Sequence, residues 1–135
     1  MEQRDTLLKQ VRPEIKSIKK TAQALDIEIF QNKTLRPILK FQNDLLLLVY
    51  RKYIAQYKNA FYELDEPKKL DYISQSLKAN HAFRNLMIGT VIGLFSVEEY
   101  LTYATQSSLI NKRIISMLVQ RFQDQLPLLN QRSSV

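Results

Sequence analysis

The strongest constraint on the fold is the spacing of apolar residues. Leu8, Val11, Ile15, Ile18, Ala22, Leu25 and Ile29 follow one another at intervals of three and four. Residues so spaced share one face of a 3.6-residue helix. The same intervals recur along the chain, and no stretch alternates at the period of two that a strand needs. Glycine, the usual punctuation of a loop-rich fold, occurs only twice. The chain is therefore expected to be all-α: a single-domain bundle, 1–135, of about five to six helices. The ends, 1–12 and 127–135, are expected to be frayed or peripheral.

Punctuation divides this pattern. Pro13 breaks the first stripe, so a short helix should end near Val11 and a longer one begin around Pro13. "QNKT", 31–34, reads as a connection with Thr34 as N-cap and Pro37 in the first turn. A long central helix should run from about 34 to 62. Leu35, Ile38, Leu39, Leu45, Leu46, Val49, Tyr53 and Tyr57 are assigned to its inner side. Its run "LLLLV", 45–49, is apolar all round and predicts burial on several sides. Asp65 and Asn80 are expected to cap the next two helices, the second ending near Phe95. Ser96 and Glu99 have the spacing of a capping box, with a helix to about Thr105. A last helix, 109–126, should end at Pro127.

Composition excludes whole classes of function. With no cysteine there are no disulfides, thiol nucleophiles or zinc ribbons, and a cytoplasmic setting is compatible. The longest near-apolar run, Leu86–Phe95, falls well short of the ~20 residues of a spanning helix. The start has no compact apolar core of a signal peptide. The formal net charge is +7, and the excess leans to the first forty residues, with nine Lys/Arg against five Asp/Glu. Lys9, Arg12, Lys16 and Lys20 form a basic stripe. Arg51 and Lys52 stand among Tyr50, Tyr53 and Tyr57, an interleaving that single-strand binders use.

"HAFRNLMIGTVIGLF", 81–95, contains the one histidine and both glycines. His81 has no acidic residue, cysteine or second histidine within a helical turn, so no metal or catalytic role is assigned to it. With Arg84 and Asn85 it defines a possible ligand contact at a helix start. Gly89 and Gly93 lack the Lys-Ser/Thr of a phosphate loop. Each costs about 1 kcal/mol against alanine inside a helix. Two on one face predict the close approach of another helix backbone, which Gly93→Leu would disturb.

Three stretches, "FQNKTLRPILKFQNDLL" from Phe30, "FRNLMIGTVIGLFSVEEY" from Phe83 and "NKRIISML" from Asn111, together resemble a small family of uncharacterised bacterial proteins. The resemblance spans most of the chain after residue 30, and some members carry a glyoxalase label. It brings no catalytic residue of known role, and no catalytic, cofactor-binding or metal-ligating position is assigned. The leading expectation is a helical protein acting by protein–protein contact, as a homo-oligomer or with another protein. The alternative is a basic nucleic-acid binder using Lys9, Arg12, Lys16, Lys20, Arg51 and Lys52. The third is a small-ligand protein or enzyme.

Overall fold

The computed structural model describes residues 2–12 and 26–131. The readings placed on Pro13, Ile15, Lys16, Ile18, Lys20, Ala22 and Leu25 lie outside them. The expected all-α class is what the structure shows: every regular element among the described residues is helical. They are α1 (Glu2–Val11), α2 (Asp26–Phe30), α3 (Arg36–Gln56), α4 (Glu66–Ala79), α5 (His81–Ile92), α6 (Val97–Thr105), α7 (Ser107–Asp124) and α8 (Leu126–Leu129). A π turn, Gln31–Leu35, and a 3₁₀ turn, Ala60–Glu63, complete the set. The chain falls into two compact units, Met1–Gln42 with Ile88–Ile114, and Asn43–Met87 with Ile115–Val135.

The "QNKT" segment is not a break. It is the π turn, and it joins α2 to α3 without a helix end. The Arg36 amide reaches back five residues to the Gln31 carbonyl. Pro37 explains this geometry: it has no amide proton, and in an α-helix its ring would collide with the carbonyl of Lys33. A widened turn relieves that collision while the helix continues. Thr34 is therefore no N-cap. Its side chain is buried inside the turn.

The other caps follow the sequence closely. Asp65 accepts from the Lys68 amide at 3.1 Å, with Pro67 in the first turn of α4. Asn80 accepts from the Phe83 amide at 3.1 Å and starts α5. At α6 the Glu99 amide donates to Ser96 Oγ at 3.1 Å, and the Ser96 amide donates to Glu99 Oε1 at 2.8 Å. Three ends differ from expectation. α3 stops at Gln56 rather than 62, because Lys58 and Asn59 turn into the left-handed region with φ of 61° and 57°. α5 stops at Ile92, with Gly93 in the turn that follows. Pro127 does not end the last long helix but sits in the first turn of the short α8.

In the first unit Phe30, Leu35, Ile38, Leu39, Val91, Phe95 and Ile110 are buried, with Phe95 edge-on between Phe30 and Tyr103. The second unit is built on aromatic rings. Tyr53 and Phe83 lie 4.1 Å apart between centroids, Tyr50 and Phe122 4.8 Å, and Phe61 and Tyr72 5.4 Å. Tyr50 is wholly buried, its hydroxyl 2.6 Å from Ser76 Oγ. Ser76 donates its one proton to the Ile73 carbonyl, so Tyr50 is the donor of the pair. Burial pushes the Tyr50 phenol far up, and that of Tyr72 up to about 12. Of the three tyrosines interleaved with cations, Tyr50 and Tyr53 are core and Tyr57 is half exposed. Leu126 and Leu129 are buried as well, so the expectation of a peripheral 127–135 fails at Leu129.

The glycine expectation is overturned. Gly89 and Gly93 are both exposed. A Cβ placed on Gly89 would meet nothing within 4 Å, and one on Gly93 would meet only carbonyls of its own helix, at 3.4 and 3.8 Å. Among the described residues no second backbone approaches either of them. The helical cost of Gly89 is thus uncompensated by packing. Gly89→Ala should raise stability by up to about 1 kcal/mol, read as a higher urea midpoint at unchanged slope.

Candidate functional site

In the first unit α1 lies across the turn between α5 and α6 and satisfies its backbone. That turn leaves the last carbonyls of α5 and the first amides of α6 without helical partners. Arg4 donates from Nη2 to the Gly93 carbonyl at 2.8 Å and from Nη1 to that of Phe95. Arg12 donates from Nη1 to the Leu94 carbonyl at 3.3 Å. Asp5 accepts from the Val97 amide at 3.1 Å. Cations thus meet a helix C-terminus and an anion meets a helix N-terminus, the favourable sense of both dipoles. Leu8 is buried beneath. Residues 2–12 are mostly exposed, as a peripheral segment is, but are held by these side-chain bonds and one apolar anchor.

Glu99 is the centre of this arrangement. Its carboxylate forms a two-pronged ion pair with Arg12, one prong from Nη2 to Oε2 at 2.8 Å. Thr34 Oγ1 donates to the same Oε2 at 2.8 Å, and the Ser96 amide donates to Oε1. Both side chains of the ion pair are mostly buried, with 12% and 19% of their surface exposed. Burial alone would raise the Glu99 pKa. The bonds from Arg12, Ser96 and Thr34 outweigh it and hold the carboxyl below its ordinary value. Four donors occupy its lone pairs, so Glu99 is a structural anion and not a free base. Local spacing places Ser96 and Glu99 in a cap but gives no sign of Arg12 and Thr34 as their partners. Arg12, a candidate for nucleic-acid contact in the sequence, is spent here instead.

Beside this node an open cleft of about 670 Å³ is lined by Ile29, Phe30, Lys33, Glu98, Leu101 and Thr102, among others. His81, Arg84 and Asn85 do not line it. His81 is exposed at the first position of α5, away from any third ligand: among the described residues no three His, Asp or Glu side chains gather as a metal site would require. Of the candidate nucleic-acid residues, Lys16 and Lys20 lie outside the described residues. Lys9 and Arg12 belong to the first unit, Arg51 and Lys52 to the second.

No known protein family, curated protein or solved structure matches this chain. Function must therefore be read from its surface. Two polar residues of α3, Gln42 and Asn43, clasp it to other parts of their units. In the first unit Gln42 Nε2 donates to the Thr90 carbonyl at 3.4 Å. In the second, Asn43 and Gln125 exchange two amide hydrogen bonds of 2.7 Å.

The apolar residues of α3 are the surprise. Its buried line in the second unit is Leu46, Leu47, Tyr50, Tyr53 and Ile54. Leu45, expected inward, and Leu48 each remain 49% exposed, as does Tyr57, while Val49 is half-buried. "LLLLV" carries no phase of its own, so burial follows the Tyr50 and Ile54 side. Leu86 on α5 and Leu128 on α8, in the same unit, are exposed too. Among the described residues no helix is long and apolar enough to cross a membrane.

Two outcomes test the Glu99 node. Glu99→Gln should destabilise the fold at neutral pH by about 1.5–3 kcal/mol, the range for hydrogen bonds to charged groups. The folded carboxyl titrates below its ordinary value of 4.5. Its contribution is therefore complete above that pH and is lost as pH falls through the lowered folded value. The gap between wild type and Glu99→Gln in urea melts should close in acid, not in alkali. Arg12→Ala should release α1, seen as faster exchange of the Val97 amide, which donates to Asp5.

Proposed function

We propose that this protein acts by protein–protein contact, foremost by pairing with a second copy of itself through the outer face of α3. The observation that carries this reading is the half exposure of Leu45 and Leu48, three residues apart on one helix whose opposite side is fully buried. Single exposed leucines are ordinary surface. Leucines at helical spacing in mid-helix, with Leu86 and Leu128 exposed in the same unit, have the character of an interaction face. Covering half of a leucine side chain contributes roughly 1 kcal/mol. The face supports a modest, concentration-dependent dimer in a cytoplasmic setting.

The nucleic-acid reading draws less support. Arg12 is engaged by Glu99 and the Leu94 carbonyl, and Arg51 donates to the Leu128 carbonyl at 2.7 Å. Lys9 and Lys52 remain as exposed cations, one in each unit.

Light scattering across a concentration series tests the proposal. The mass should rise from 15.9 kDa toward twice that value. The Leu45→Gln/Leu48→Gln double variant should stay at the single-chain mass while keeping its helical circular dichroism. A wild-type mass that stays at one chain up to about 1 mM, the weakest affinity of interest, defeats the proposal.

A further inference from the structure

The charges that border the leucines point to a specific geometry of pairing. Asp44 and Arg51 stand seven residues apart on α3, so they occupy the same edge of its outer face two turns apart. Leu45 and Leu48 lie beside them, with Lys52 and Ala55 continuing the exposed side. Asp44 is exposed, and no cation among the described residues pairs with it. Arg51 is half-buried and pairs with no carboxylate among them. Its Nη2 holds the Leu128 carbonyl, and its Nε is buried without a partner. The buried Nε is out of another chain's reach, but the Nη edge lies at the exposed Leu128 bond and meets no carboxylate among the described residues.

We infer that two copies pair through α3 in antiparallel register about a twofold axis, Leu45 of each copy packing on Leu48 of the other and Asp44 of each meeting Arg51 of the other. This rests on the self-association proposed above and specifies its register.

The arithmetic of the helix supports the choice. Take Leu45 and Leu48 as successive seam positions of a heptad. Asp44 and Arg51 are then both the residue that flanks the seam on one side. In an antiparallel pair the same flanking positions of the two helices face each other. One twofold axis therefore brings an acid to a cation twice, with two leucine layers between. A twofold interface must be complementary to itself, and this one is. In a parallel pair each flanking position faces the opposite flank of the other helix. Asp44 would then meet Val49 and Arg51 would meet Gln56, and neither charge would gain a counterion. The antiparallel register alone gives the Arg51 fork a carboxylate.

Charge reversal tests the register by sedimentation velocity on the full chain at a concentration where wild type is dimeric. Asp44→Lys alone sets cation against cation at both ends of the interface, and Arg51→Glu alone sets anion against anion there. Each should weaken dimerisation at least about tenfold. An equimolar mixture of the two variants forms a heterodimer in which one end keeps the original pair and the other holds a cation at position 44 against an acid at position 51.

 At that second end acid and cation have traded helices, so both ends are matched pairs and the mixture should dimerise close to wild type. Wild-type dimerisation by each single variant overturns the register while leaving the leucine face standing. Failure of the mixture to recover overturns it equally. A monomeric wild type defeats the parent proposal. If Arg51→Glu melts early, having lost the Leu128 bond, Asp44→Asn and Asp44→Lys carry the test. Dimerisation should then fall from wild type to Asp44→Asn to Asp44→Lys, and three equal affinities overturn the register.

Discussion

One carboxylate organises the first unit. Glu99 is reached by Arg12 from α1, by Thr34 from the π turn and by the amide of Ser96 from the start of α6. These groups are far apart in sequence and have no other common partner. An anion taken out of water is stable only if its lone pairs are filled, and here each donor comes from a different element. The cap of α6, the position of α1 and the burial of Thr34 are therefore consequences of a single requirement. The second unit is organised differently. Its helices meet through aromatic rings around Tyr50, whose hydroxyl is satisfied by Ser76 without any charge.

The two halves of α3 respond differently to the same problem. Where it belongs to the first unit its polar side chain, Gln42, reaches a carbonyl of α5. Where it belongs to the second, Asn43 exchanges amide bonds with Gln125. These clasps orient the helix and leave its leucines at 45 and 48 on the outside. A helix uniformly apolar could rotate at little cost. The amides oppose that rotation, together with the burial of Tyr50 and Ile54 on the other side.

Much of this is legible in the sequence, and the misses share a cause. Helical class and the caps at Asp65, Asn80 and Ser96 follow from local rules, because a cap and its partner lie within four residues. The Ser96–Glu99 pair is local too, but the reach of Glu99 to Arg12, eighty-seven residues away, leaves no local signal. The π turn is hidden for a related reason. Polar residues ahead of a proline read as a loop, and only the packing of Thr34 and Leu35 keeps them in a helix. Gly89 and Gly93 mislead through their cost: two unfavourable residues imply a steric need, and the described residues hold no such neighbour. The inward assignment of Leu45 fails because five successive apolar residues define no phase.

The π turn does something that neither a kink nor a loop would do. By accommodating one extra residue it shifts the angular phase of the chain by about 100° relative to an uninterrupted helix. Ile29 on α2 and the stripe that leaves along α3 thus obey separate counting rules, although no end of helix lies between them. Pro37 in effect sets the counting origin for everything after it, including which leucines of α3 face outward. A heptad count carried straight through from Ile29 places every later side chain about one position out of step.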